Sequence, residues 1–177
     1  MNKSELCESL ARNYKAFTYY IGNLNPDEYG FATDQKWTAG QQLEHLILCV
    51  KPLVQVFGME KQAIAQTFGK PAAAGRDYAI LLRDYEQKLR EGGKAPGRFV
   101  PEPVSLEQRA VLCETLNTLI AELNKRISLF SEEELNTLAI PHPLLGNISL
   151  REMLYNAIAH VQHHQEATKR TISFKTA

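Results

Sequence analysis

Apolar side chains recur at intervals of three and four along four long stretches of this chain, and that period constrains the fold more than any other feature. From about Ser4 to Leu24 the run is Leu6, Leu10, Tyr14, Phe17 and Ile21. A 3.6-residue repeat places these on one face of a helix. Asn25-Pro26-Asp27 ends it. Thr38 followed by Gln41 is a capping box that opens a second helix through Leu43, Leu46, Ile47, Val50, Leu53 and Val54. This helix is expected to reach about Phe68 and to kink at Pro52, which lacks the amide for the preceding turn. Ser105 with Gln108 opens a third helix through Leu112, Leu116, Leu119, Leu123 and Ile127 to about Phe130, and Ser149 with Glu152 opens a fourth. The connection between the second and third is long. It holds a loop from Gly69 to Gly75, a shorter charged helix from Asp77 to Arg90, and a break at Gly92-Gly93-Lys94-Ala95-Pro96-Gly97. Arg98 to Pro103 is expected to be extended, because residues before proline avoid the helical region. Ile140 to Gly146 is too rich in proline to be expected in a regular element. No strand alternation stands out, so the chain is all-α, an antiparallel or mixed helical bundle with a long connection between helices two and three.

At 177 residues and 44% hydrophobic, the chain has material for one core, and residues 1–177 are expected to form a single domain. Twenty basic and twenty acidic residues balance, which argues against nucleic acid as a partner. No secretory signal and no membrane-spanning run is visible, so a cytoplasmic protein with no membrane partner is expected. Cys7, Cys49 and Cys113 are odd in number and far apart. They are expected to pack as small core residues in a reducing compartment, with no disulfide framework or thiolate zinc set.

The chemistry concentrates in five histidines. His160 and His164 are i and i+4 on the fourth helix and share a stripe with Met153 and Ala157. His45 lies on a stripe of the second helix with Gln42, Cys49 and Leu53. All three imidazoles are therefore expected to face inward. Three nitrogens can ligate a borderline divalent ion, zinc or nickel in the absence of thiolates, and leave a coordination position open. The same spacing is compatible with a hydrogen-bonded core histidine and a polar helix edge. His163 is turned off the stripe, either orienting a ligand from behind or facing solvent. His142, between two prolines, has no helix to aim it. Tyr155 and Asn156 are expected to be exposed, Glu44 solvated, and Tyr19, Tyr20 and Tyr29 to serve packing or line a pocket.

Trp37-Thr38-Ala39-Gly40-Gln41-Gln42-Leu43-Glu44-His45-Leu46, then His142-Pro143-Leu144-Leu145-Gly146-Asn147-Ile148-Ser149-Leu150, then His160-Val161-Gln162-His163-His164, resemble in order and separation the DinB-like superfamily, which includes YfiT-type thiol transferases and metal hydrolases. The Phe99-Val100-Pro101 segment resembles the strap that precedes the third helix in YfiT-like members. The resemblance implies a DinB/YfiT-type four-helix bundle with a divalent ion on His45, His160 and His164. It also implies a small-molecule substrate and a low-molecular-weight thiol as co-substrate in a metal-dependent transferase, with a metal-dependent hydrolase or a non-catalytic, stress-associated metal-binding scaffold as alternatives. Related bundles often dimerise, so a homodimer is expected. Gln165-Glu166-Ala167 departs from the basic or glycine-containing stretch of many relatives, which leaves the substrate open.

Overall fold

The four helical periods become the four long helices of the protein. The structure is a computed structural model and describes residues 1–33, 36–73, 75–94 and 96–175. The helices are α1 (Lys3–Gly22), α2 (Pro26–Tyr29), α3 (Ala39–Phe57), α4 (Lys61–Phe68), α5 (Tyr78–Arg90), α6 (Arg109–Ile127), α7 (Glu132–Thr137) and α8 (Leu150–Ser173). A hairpin of β1 (Ala139–His142) and β2 (Gly146–Ser149) precedes α8. The fold is all-α apart from this ribbon. The loop from Gly69 to Gly75 and the break from Gly92 to Gly97 fall between helices as expected, although Ala74 and Ala95 within them lie outside the described residues. Among the described residues, no helix is long and apolar enough to cross a membrane.

The capping boxes form as read. Thr38 accepts from the Gln41 amide while the Gln41 side chain accepts from the Thr38 amide, and Ser149 and Glu152 do the same for α8. Apolar faces of the long helices then meet in one core, with Leu6, Leu10, Phe17, Leu43, Leu46, Leu116, Leu123, Leu150 and Leu154 fully enclosed. α6 packs along both α1 and α3, and α1 also packs along α8. The seam between α3 and α8 is much slighter. These are the two helices that carry the inward histidines.

Several boundaries differ from expectation. The second helix stops at Phe57, and α4 is a separate turn of chain. Gly58 caps α3 beneath Arg126, whose guanidinium donates to the Val54 carbonyl at 2.8 Å and would lie 1.9 Å from a Cβ at position 58. Pro52 is accommodated inside α3. The strap is extended only from Val100. Gly97–Phe99 forms a single 3-10 turn because the Pro96 carbonyl accepts from the Phe99 amide at 2.8 Å. The proline-rich stretch is regular after all. Pro141 pairs with Asn147 in a two-stranded ribbon that has no third strand to need its missing amide, and Gly146 closes the turn at φ +72°.

Tyr155 and Asn156 are buried, 4% and 7% exposed, against the expectation that they face solvent. α5, from the long connection, lies on that side of α8, and Tyr78 meets Tyr155 edge-on at 5.7 Å. The loop ahead of α5 is clamped by Glu152, 2% exposed, which accepts from the Arg76 guanidinium at 2.7 Å and from the Arg76 amide at 3.1 Å, as well as from Ser149. Burial alone would push this carboxyl up, but the Arg76 guanidinium and the two amides outweigh it and hold Glu152 below the usual carboxylate range.

Glu152→Ala should therefore cost about 2 kcal/mol, since it removes a helix cap and leaves Arg76 with Asp84 alone. Glu152→Gln, which keeps the cap, should cost about half of that by urea denaturation.

Candidate metal centre

The helical spacing brings His45, His160 and His164 to one point. Their Nε2 atoms converge: His45 to His160 is 3.2 Å, His164 to His160 is 2.8 Å, and the three ligand atoms all lie within 4.8 Å of one another. His45 and His164 are buried and His160 is half-buried.

Ring orientation is set from behind. His45 Nδ1–H donates to the Phe99 carbonyl at 2.7 Å, and His164 Nδ1–H donates to the Gln42 side-chain oxygen. Both acceptors lack a proton to give, so both imidazoles carry theirs on Nδ1 and turn a bare Nε2 lone pair inward. His160 can place one proton between them at most. Burial pulls the pKa of His160 and His164 well below the ordinary value, reinforced by neighbouring imidazoles, and burial also lowers His45 against the opposing pull of the Phe99 carbonyl. Neutral imidazoles with lone pairs at this separation suit a divalent cation, because ligand nitrogens about 2.0–2.1 Å from one ion sit roughly 3 Å apart.

The triad forms part of the wall of a cavity of about 450 Å³, within the range of small-molecule sites. The cavity opens where the α3–α8 seam is slight. Trp37 stacks over His164 with centroids 6.2 Å apart and leans on His45 at 4.8 Å. Val50, Leu53, Val56, Phe68, Leu89, Ile140, Leu144 and Met153 supply an apolar wall. Among the described lining residues none is Asp or Glu, while Lys94 and Arg98 stand exposed at the edge.

The remaining candidates sort clearly. His163 is exposed, its ring edge-on to His164 at 5.3 Å, and it also borders the cavity. Cys7, Cys49 and Cys113 are free thiols, each partly buried. Cys49 lines the cavity with Sγ 3.6 Å from His45 Nε2, and burial pushes its thiol up to about 12, so it is a poor nucleophile of its own. Tyr19 is exposed and Tyr29 is in the core; neither they nor Tyr20 line the cavity, whereas Tyr14 and Tyr85 do. His142, which sequence periodicity could not aim, also reaches the wall. The Leu144 and Leu145 amides both donate to its Nδ1 at 3.1 Å, and Tyr85 meets its ring edge-on. Asn156 was missed as well, though it lies one helical turn before His160 and so on the same face.

With fold and geometry in view, the family profile is decisive: that of the DinB superfamily matches residues 9–167. The chain belongs to the DinB superfamily. No curated protein and no solved structure matches it.

Burial lowers the His142 pKa from 6.5 to about 4, against the raising effect of its hydrogen bond to Asn156. Above pH 6.5 this imidazole is neutral folded or unfolded and contributes no pH dependence. Between 6.5 and about 4 the unfolded chain takes a proton that the folded chain refuses. Stability of metal-free protein should accordingly fall on acidification through that window. Denaturation midpoints measured across it should drop less steeply for His142→Gln than for the parent chain.

Proposed function

We propose that this DinB-superfamily protein is a metal-dependent enzyme acting on a small molecule, with His45, His160 and His164 holding a divalent ion, zinc or nickel, and a low-molecular-weight thiol as the nucleophilic co-substrate. The observation that carries this reading is the convergence of three Nε2 lone pairs on the wall of an apolar cavity, two of them fixed by Nδ1 hydrogen bonds to Phe99 and Gln42. A divalent ion held there would favour the thiolate of a bound thiol near neutral pH.

Transferase chemistry suits the wall better than hydrolysis does. A water nucleophile is usually helped by a positioned general base, most often histidine or a carboxylate; the described cavity residues include no carboxylate, and the Nδ1 lone pair of His142 already accepts from two backbone amides. A thiol, with an ordinary pKa near 8.5, asks less of the protein. The chain's own part is then to place the two reactants together and to keep water away. Trp37 covers two of the ligand rings, and the aliphatic wall excludes solvent around the nucleophile.

Purified protein should carry roughly one divalent ion per chain by elemental analysis, and His160→Ala should lose it while keeping the helical circular-dichroism signal. His164→Ala should abolish thiol-dependent turnover of a general electrophile, whereas His163→Ala should keep metal and much of the rate. Unchanged occupancy in His45→Ala/His160→Ala would reject these ligands. Gln42→Leu, which touches no metal-facing atom, should weaken affinity by about 10- to 100-fold by freeing the His164 ring.

A further inference from the structure

Tyr85 is 7% exposed and projects from α5 onto the wall of the cavity. Its ring meets His142 edge-on with centroids 5.9 Å apart and His160 edge-on at 6.4 Å, so the phenol stands beside one of the triad's imidazoles. The hydroxyl makes no hydrogen bond to a described residue. It is not shut away either. The buried side-chain polar atoms that lack both a partner and contact with water are Tyr29 Oη, Asn124 Oδ1 and Asn156 Nδ2, and Tyr85 Oη is not among them. A narrow cleft that Tyr85 also borders, with Leu81 and Tyr155, has no room for a water molecule, so the hydroxyl opens to the cavity of the triad.

A phenol keeps its proton at neutral pH, and burial pushes this one up to about 12, so what it offers is an O–H donor. The other phenol of the wall is committed: Tyr14 Oη donates to the Ala157 carbonyl at 3.3 Å. Water can satisfy Tyr85 while the cavity is free. A molecule that fills the cavity displaces that water, and must bring an acceptor of its own or leave the donor buried without one, which is costly.

The rest of the wall narrows the chemistry of that molecule. It is largely aliphatic and aromatic, and no described residue of it is Asp or Glu. Lys94 and Arg98 stand exposed at the edge, so no formal charge of the chain sits further in to meet an anion. An apolar body with an uncharged oxygen that accepts without donating fits these conditions, and a carbonyl is such a group.

We propose that the electrophile is an apolar carbonyl compound and that Tyr85 Oη–H donates to its carbonyl oxygen, fixing its orientation beside the triad. This rests on the reading of the cavity as the substrate site, but not on the identity or presence of the metal.

Acetophenone, isotope-labelled at its carbonyl carbon, serves as probe. Its counterpart is 2-phenylpropene, which has the same shape with a methylene group in place of the oxygen. Each is titrated into metal-free and zinc-loaded protein, parent and Tyr85→Phe. In metal-free parent protein, difference infrared spectra should show the bound carbonyl stretch lowered from its frequency in hexane, the mark of an accepted hydrogen bond. Tyr85→Phe should return it toward the hexane value. The same substitution should weaken acetophenone binding about five-fold and change 2-phenylpropene binding by less than about two-fold. Without ligand the variant should be at least as stable as the parent, because no partner within the fold is lost, and its zinc content should be unchanged. A stretch not lowered in the parent, one still lowered in Tyr85→Phe, an equal loss of both probes, or a fall in stability or zinc content in the variant would overturn the proposal. Equal affinity of the parent for the two probes would overturn it while leaving the cavity as the substrate site, whereas failure of both to bind would overturn that reading as well.

Discussion

Every fourth residue of α8 from Glu152 to Thr168 is polar and turned inward: Glu152, Asn156, His160, His164 and Thr168. A row of polar groups inside an apolar bundle is costly unless each is answered, and the architecture around α8 is largely the set of answers. Arg76 and Ser149 meet Glu152, His142 meets Asn156, Gln42 meets His164, and Thr168 returns its hydroxyl proton to the His164 carbonyl at 2.8 Å. Those partners come from the long connection, the hairpin and α3. Segments remote in sequence are drawn to one helix because it presents groups that water can no longer satisfy.

The row is left incomplete at its centre. Two imidazoles have their protons committed to Phe99 and Gln42, so the middle of the triad holds more lone pairs than protons. Local choices normally agree with the fold as a whole, and a conflict retained in the interior marks a place where a bound partner supplies the missing term. Three converging imidazole nitrogens are a set that could hold a cation, which would supply it here. Its binding free energy would add to the stability of the fold, because the unfolded chain has no such cluster to offer. The strap takes part in this directly: one turn of 3-10 helix at Gly97–Phe99 delivers the carbonyl that fixes the His45 tautomer.

The helices were readable because each carries its own period and its own cap, both local properties. Thr38 with Gln41 and Ser149 with Glu152 mark starts to the residue. The inward aim of His45, His160 and His164 was readable for the same reason, since a helix converts spacing into direction. What escaped depends on partners elsewhere in the chain. Gly58 ends α3 because Arg126, nearly seventy residues later, fills the space above it. The Pro141 ribbon tolerates its proline because no third strand among the described residues needs the missing amide. Asn156 and Tyr155 face the core because α5 covers them, and nothing in the local pattern of α8 announces that cover. His142 has no period at all, and two backbone amides in its own turn hold it.

The site therefore has two parts of different origin. The triad is held by the two helices and by acceptors that touch only ring nitrogens, so its geometry depends little on what the cavity contains. The opposite wall is built from the hairpin, α5 and residues Lys94, Pro96, Arg98 and Phe99; the hairpin and α5 join the bundle through the core residues Leu81, Ile140 and Ile148 and through polar contacts such as Arg76 with Glu152 and Asn147 with the Phe68 and Lys70 carbonyls. Changes in the hairpin and α5 would alter that wall without touching the ring-nitrogen acceptors, whereas Phe99 belongs to both parts. The cavity wall thus draws His142, Lys94 and Arg98 from the connections between helices, while the three imidazoles that converge on it come from α3 and α8.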